Sequence, residues 1–375
     1  MTRKTGFLSS PLIWSHGHGP NHPLKPERLL RTHKLLEEFG VFAAPNVVLI
    51  EPVPAAEDEL ALFHTPEYVN VVKALSRGEP GIPGWKYGFG PGDNPVFEGM
   101  FENGCISVGS TLGAAKLLAD NKCDVAFSLA GGLHHGGPDF VSGFCVFNDA
   151  AVAIQWLVNH DFRVAYVDID VHHGDGVQEA FYESDKVLTI SFHQDGRTLF
   201  PGTGYVDEIG RGNGAGYSIN VPLPAFTDDA AYLWAFEEIV PASLDQFQAD
   251  IVVTQLGVDT HYKDPLAQMM LSTSAHEALY KLLDQHSPRW LALGGGGYAV
   301  DVVPRSWALA FERMSGQRLP DELPPNYREQ FGGQWLRDRE AAENDEPTRD
   351  WVMSQVNEIV EQVKKIHAAF DSFGK

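Results

Sequence analysis

Cysteine is scarce: Cys105, Cys123 and Cys145 are the three in the chain, odd in number and far apart. Such spacing builds neither a disulfide framework nor a paired-cysteine zinc site, and it points to a reduced compartment. Long apolar runs are missing as well. No stretch approaches the ~20 residues a membrane span requires, and Met1 to Trp14 lacks the continuous apolar centre of a secretory signal. These absences read as a cytoplasmic protein. Cationic residues are few: 28 Lys and Arg against 50 Asp and Glu leave a formal charge of −22. That balance argues against a nucleic-acid ligand, whose phosphates need a cationic surface, and suits a cationic substrate. There is no internal repeat and no low-complexity tract.

What is present centres on Val164 to Asp175, which reads Val-Ala-Tyr-Val-Asp-Ile-Asp-Val-His-His-Gly-Asp. Side chains two apart share a face of an extended strand, so Asp168, Asp170 and His172 project together while Val167, Ile169 and Val171 point the other way. Buried carboxylates side by side need a cation, a shared proton or dense hydrogen bonding. A metal is the simplest compensation.

Around that stretch the chain has the rhythm of an α/β fold. Helices are expected at Pro26–Phe39, Glu57–Phe63, Pro66–Leu75 and Pro95–Ala119, with a Gly/Pro-rich loop over Gly78–Pro95. Apolar strands follow at Asp124–Ala130, Val164–Asp170, Val187–His193, Ile251–Gly257 and Trp290–Leu293, mostly separated by helical segments. Continuous apolar strands alternating with helices predict a mainly parallel sheet covered on both faces. Each strand ends in polar or glycine-rich residues, and ligands of open parallel sheets bind at the carboxyl ends of strands. Residues 316–347 turn polar and proline-rich. An amphipathic helix over Asp350–Phe370 follows, with Val352, Val356, Ile359, Val363 and Ile366 as its apolar stripe, docking on the core.

Asp170 and His172, joined by Asp259 from a later strand end, form a mixed nitrogen and oxygen set with open coordination positions, which is the pattern of a catalytic metal site. His134 and His135 follow Gly131 and Gly132 and are the natural acid and base, with Asp168 and Asp175 placed to hold one nitrogen of each. Gly294 to Gly297 lacks the G-x-G-x-x-G spacing of a nucleotide loop and instead delivers Tyr298 to the cleft as a phenolic donor. His16, His18 and His22 fall in a polar stretch whose loose spacing reads as a solvated loop.

Gly131-Gly-Leu-His-His, Ser142-Gly-Phe-Cys, Asp168-Ile-Asp-Val-His-His-Gly-Asp-Gly-Val-Gln, Phe200-Pro-Gly-Thr-Gly, Gln255-Leu-Gly-Val-Asp and Gly294-Gly-Gly-Gly-Tyr together resemble the zinc-dependent histone deacetylase family. The likeness runs in order from about residue 22 to about residue 314 and is nearest to class I enzymes and the bacterial acetoin-utilisation (AcuC-type) branch. The resemblance implies an arginase-like α/β fold in one domain spanning 1–375, and removal of acetyl or other short acyl groups from lysine by metal-activated water. Acetylated polyamines are the alternative substrate. It makes Asp170, His172 and Asp259 the zinc ligands, a set that also accepts iron or cobalt. Tyr298 becomes the carbonyl-polarising donor, His135 with Asp175 the proton shuttle, and His134 with Asp168 its electrostatic partner. Gly143, Phe144, Phe200 and Leu266 would line a narrow tunnel, Asp93 would hold the substrate backbone at the rim, and Arg28 would belong to an acetate-release cavity. Potassium is implied too, at an inner site of Asp168, Asp170, His172, Ser191 and Phe192 and an outer one of Phe181, Ser184, Val187 and Tyr217. A two-metal ureohydrolase on the same fold is disfavoured, because Gly174 stands where that chemistry wants an Asp.

Overall fold

The computed structural model describes residues 3–368. Eight strands form one sheet: β1 (Thr5–Leu8), β2 (Val47–Ile50), β3 (Val125–Ser128), β4 (Val164–Asp168), β5 (Val187–Gln194), β6 (Ser218–Leu223), β7 (Ile251–Gln255) and β8 (Trp290–Leu293). Their order is β2-β1-β3-β8-β7-β4-β5-β6, and every neighbouring pair is parallel. All carboxyl ends therefore emerge on one edge, and the five predicted strands are the contiguous interior run β3-β8-β7-β4-β5.

Helices cover both faces. In chain order they are α1 (Glu27–Glu38), α2 (Glu57–Leu60), α3 (Pro66–Ser76), α4 (Met100–Ala119), α5 (Asp149–Asn159), α6 (Asp175–Ala180), α7 (Asp229–Phe247), α8 (Thr273–His286), α9 (Val303–Ser315), α10 (Pro325–Phe331) and α11 (Glu346–Ala368). The strand period of two divides the core accordingly. Ala165 and Val167 of β4 join Leu279, Trp307 and Val356 in one cluster, while Val164 and Tyr166 join Ala115, Ala151 and Ile154 in the other.

Three strands escape sequence reading. β1 and β2 are only four residues long, β1 carries Gly6, and β2 is an edge with Val48 and Leu49 exposed. β6 contains Pro222, which an interior strand would not tolerate but an edge strand does. The helix expected from Pro95 starts only at Met100, after Gly99 at φ +77°. Within the polar stretch after α9 lies α10. α11 packs on α7 and β6 and begins before Asp350; its buried stripe is Val352, Val356, Val360 and Val363, with Ile359 and Ile366 half-buried. Residues 369 and 370 of the expected helix lie outside the described residues. No helix among the described residues is long and apolar enough to cross a membrane.

Candidate metal centre and active site

β4 ends at Asp168, and the following residues are not a strand continuation. The Asp170 N–H donates to Asp168 Oδ1 at 3.1 Å and the His172 N–H to Asp170 Oδ1 at 3.1 Å, two successive side-chain turns. This still sends Asp168, Asp170 and His172 one way, while Val167, Ile169 and Val171 enter the core. Asp259 arrives just past the end of β7, the strand beside β4. One ligand atom from each of Asp170, His172 and Asp259 lies within 4.8 Å of the others, and all three residues are buried. Asp170 Oδ2 accepts from Gln255 Nε2 at 2.6 Å and the Gly296 N–H at 2.8 Å, and Asp259 Oδ1 accepts from the Val171 N–H at 2.9 Å. The remaining oxygen, Asp259 Oδ2, is buried without a hydrogen bond, 3.3 Å from His172 Nδ1. Glycine makes the crowding possible: a Cβ at Gly296 would sit 2.1 Å from Asp259 Oδ2, and one at Gly257 would sit 2.2 Å from Asp170 Oδ2.

Charge tells the same story. Burial and the neighbouring Asp170 push Asp259 up to about 7. Burial would lower His172, yet its hydrogen bond to Asp170 and the adjacent Asp259 carboxylate raise it to about 10. Two buried acids, an undonated carboxylate oxygen and a histidine nitrogen turned inward fit a divalent cation.

The histidine loop is gripped by the start of α5. Asp149 accepts from the N–H groups of Gly132 and Leu133 at 3.0 and 2.8 Å, and Asn148, which caps the helix through Ala151, donates to the carbonyls of His134 and Gly136. His134 Nδ1 lies 2.7 Å from Asp168 Oδ2 and His135 Nδ1 lies 2.6 Å from Asp175 Oδ1, with the two rings 4.0 Å apart. The neighbours push the pair in opposite directions. Against burial, Asp168 and Asp170 raise His134 to about 9, whereas burial and the adjacent His134 lower His135 to about 4 despite Asp175.

Tyr298 follows the glycine run. Its N–H donates to Asp264 Oδ2 at 2.7 Å. Arg28 is buried under the run, donating to the carbonyls of Gly295 at 2.6 Å and Gly297 at 3.3 Å, with Trp307 5.4 Å away. It also borders a cavity that contains His16, His18, Leu24 and Leu133. Burial, with Asp259 and Asp170 nearby, lifts the Tyr298 phenol well above its ordinary range, so it stays a proton donor. Phe144 packs edge-on to Tyr298 at 5.8 Å, and Phe200 edge-on to His135 at 5.1 Å. Gly143 adopts φ +49°, where a Cβ would fall 2.2 Å from the His135 ring. Leu266 is half-buried, its N–H donating to Asp264 Oδ1 at 3.0 Å.

Asp93 is exposed, and its carbonyl accepts from His22 Nε2 at 3.1 Å, while neighbouring Asn94 accepts from the Phe144 N–H at 2.9 Å. The rim loop is thereby tied to Phe144. His22 is buried and stacks on half-buried His18 at 4.4 Å, its ring edge-on to Phe144, which corrects the solvated-loop expectation for these two rings, while His16 is exposed as expected. Ser191 pairs with Asp168 across β4 and β5, followed by Phe192. Phe181 and Ser184 connect α6 to β5, with Val187 opening β5 and Tyr217 preceding β6. The two groups thus sit at opposite ends of β5. Two side chains that the sequence leaves without a role, Gln255 and Asp264, turn out to hold Asp170 and Tyr298. Gln255 at least stands in the quoted Gln-Leu-Gly-Val-Asp segment; nothing local marks Asp264.

Residues 22–314 match the histone deacetylase domain family. The chain is 40% identical over 333 residues to the acetoin utilization protein AcuC of Bacillus subtilis, covering 87% of this chain and 86% of that protein. It is 40% identical over 311 residues to histone deacetylase 9 of Arabidopsis thaliana, covering 82% and 72%. The crystal structure of an HDAC homolog from Aquifex aeolicus superposes with a TM-score of 0.86 at 30% identity, covering 96% of this chain and 100% of that one. An HDAC homolog complexed with SAHA superposes with the same TM-score at 31% identity.

Proposed function

The chain belongs to the histone deacetylase family and is an amide-cleaving hydrolase, and on that footing we propose that it removes acetyl, or another short acyl group, from lysine side chains of proteins with zinc as its metal. The observation that carries the reading is the meeting of Asp170, His172 and Asp259 with two oppositely tuned histidines and a buried phenol. A divalent cation held by the triad supplies Lewis acidity, polarising the acyl carbonyl and making water a stronger nucleophile. His135 is the proton shuttle: Nδ1 is fixed by Asp175, leaving Nε2 to take the proton from attacking water and return it to the departing amine. Lowered to about 4, it is neutral near pH 7. His134, raised to about 9 between Asp168 and Asp170, contributes a fixed positive charge. Tyr298 donates its phenolic hydrogen to the developing oxyanion. Phe144, Phe200, Gly143 and Leu266 enclose the lysine stem, and Asp93 receives the peptide backbone at the rim.

Further parts of the reading follow from the same footing. The chain acts in the cytoplasm, consistent with three free, buried cysteines, and is read as one domain, its described residues 3–368 built around the single sheet. Arg28 borders the acetate-release cavity. Asp168, Asp170, His172, Ser191 and Phe192 would hold an inner potassium ion, and Phe181, Ser184, Val187 and Tyr217 an outer one. For a ureohydrolase, an Asp at position 174 would start from a Cβ 2.4 Å from Asp168 Oδ2, so the fold disfavours that second-metal ligand. Acetylated polyamines are the alternative substrate, favoured by the charge of −22.

The test is a panel of acetyl-, propionyl- and butyryl-lysine peptides beside acetylspermidine and acetylputrescine, with and without a hydroxamate chelator. Chelator-sensitive peptide turnover is the expected result. Turnover confined to the polyamines would replace the substrate and leave the residue roles standing.

A further inference from the structure

One buried charge is unused by this reading. Asp338 lies in the polar stretch after α9, beyond the residues 22–314 that match the family, yet its side chain is only 5% exposed. Oδ2 accepts from His261 Nε2 at 2.8 Å and from the Thr273 N–H at 2.9 Å, and Oδ1 accepts from Arg305 Nη1 at 3.0 Å. Its own N–H donates to Thr273 Oγ1 at 2.8 Å. The segment is thereby fastened to the loop that begins at Asp259 and to the helices on either side of β8.

The fastening leads inward. His261 is buried, and its Nδ1 accepts from the Lys263 N–H at 3.1 Å, so its proton resides on Nε2 and is donated to Asp338. The His261 carbonyl accepts from the Asp264 N–H at 2.8 Å. Asp264 then spends one oxygen on the Leu266 N–H and the other on the Tyr298 N–H. A single buried carboxylate thus joins a tunnel-wall residue to the phenol-bearing residue, across two separate segments, and is itself steadied from Asp338.

We propose that Asp338 and His261 are positioning residues of the active site, acting through Asp264 to fix where the Tyr298 hydroxyl sits. Displacement of a reacting group by about 1 Å can cost about a hundredfold in rate. Slack introduced at Asp338 therefore reaches the chemistry. The assays below rest on the deacylase reading, so a measurement independent of turnover accompanies them.

Asp338→Asn replaces an acceptor oxygen with an amide that cannot serve all three donors. It should lower kcat by about ten- to a hundredfold, with KM within about twofold. Metal affinity, read by competition with a chelator, should stay unchanged. In a Tyr298→Phe background the same substitution should change kcat by less than about twofold, because its effect passes through the phenol. His261→Ala should behave like Asp338→Asn, and His261→Gln, which retains a donor near the Nε2 position, should lose less. Equal losses with and without the phenol, or an unchanged kcat in folded Asp338→Asn, would overturn the proposal. If the unaltered enzyme turns over no acyl substrate, it is the deacylase reading that fails. Amide hydrogen exchange then decides the bracket: Asp338→Asn should speed exchange in peptides covering 260–266 and 296–300 and leave β4 and β5 unchanged, and no change, or a uniform one, contradicts it. Should Asp338→Asn not fold, His261→Gln carries the same comparisons.

Discussion

Tyr298 and Gln255 divide the work of the site between chemistry and support. Tyr298 is held by its own N–H at Asp264 and by the braced glycine run before it, so removing only its hydroxyl should disturb nothing but oxyanion stabilisation. Tyr298→Phe is expected to lose on the order of 10² to 10³ in kcat. Metal content measured on the same preparation should not change, and a fall in both would mean that the phenol also helps hold the cation. Gln255 works differently. Its Nε2 donates to Asp170 Oδ2 and to the Gly132 carbonyl, while its Oε1 accepts from the Gly257 N–H. Gln255→Ala should weaken metal binding by roughly 10- to 100-fold, as loss of an outer partner of a ligand does. A chelator competition series measures this directly.

At the scale of elements, the site is made by strand ends and by the backbone freedom next to them. The turn at Gly143 shows how little slack there is: both its φ of +49° and the 2.2 Å approach of a built Cβ to His135 forbid a side chain. Gly143→Ala should therefore displace His135 and lower kcat at least tenfold, by analogy with other misplacements of reacting groups. An unchanged melting temperature alongside that loss would localise the damage to the loop. The five interior strands, their apolar runs and the polar residues at their ends were legible in the sequence, because a parallel sheet buried on both faces leaves a continuous apolar signature. β1, β2 and β6 were not: β1 carries Gly6, β2 is an edge with Val48 and Leu49 exposed, and β6 carries Pro222 on the other edge. The meeting of Asp170, His172 and Asp259 was legible because Asp170 and His172 are two apart and Asp259 follows a strand. Asp264 and Asp338 were not, since their value lies in bonds to Tyr298 and His261 that no local pattern announces. The His18–His22 pair was misread as solvated because only the fold shows what stacks on it.

The whole molecule carries a pH limit that is separate from catalysis. Burial lowers His64, whose Nε2 accepts from the Asn148 N–H, from 6.5 to about 4, and burial together with His261 lowers His276 to about 3. Both are neutral in the fold and protonate more readily when unfolded. Their contribution is complete above pH 6.5 and is lost as pH falls from there, toward 4 for His64 and toward 3 for His276. Between pH 7.5 and 5.0 His64 alone should remove about 2 kcal/mol of stability. His64→Gln, which keeps an acceptor for Asn148, should shrink the pH-dependent drop in urea-unfolding free energy by about that amount; an undiminished drop would mean that other groups carry it. The molecule's central claim is that one metal, bound by Asp170, His172 and Asp259, makes this chain a deacylase. It is tested most directly by stripping the protein of metal and titrating zinc back while following hydrolysis of an acetyl-lysine peptide. Activity should rise from the background and saturate at one equivalent per chain. Saturation at two equivalents, or no turnover with the metal bound, would contradict the account.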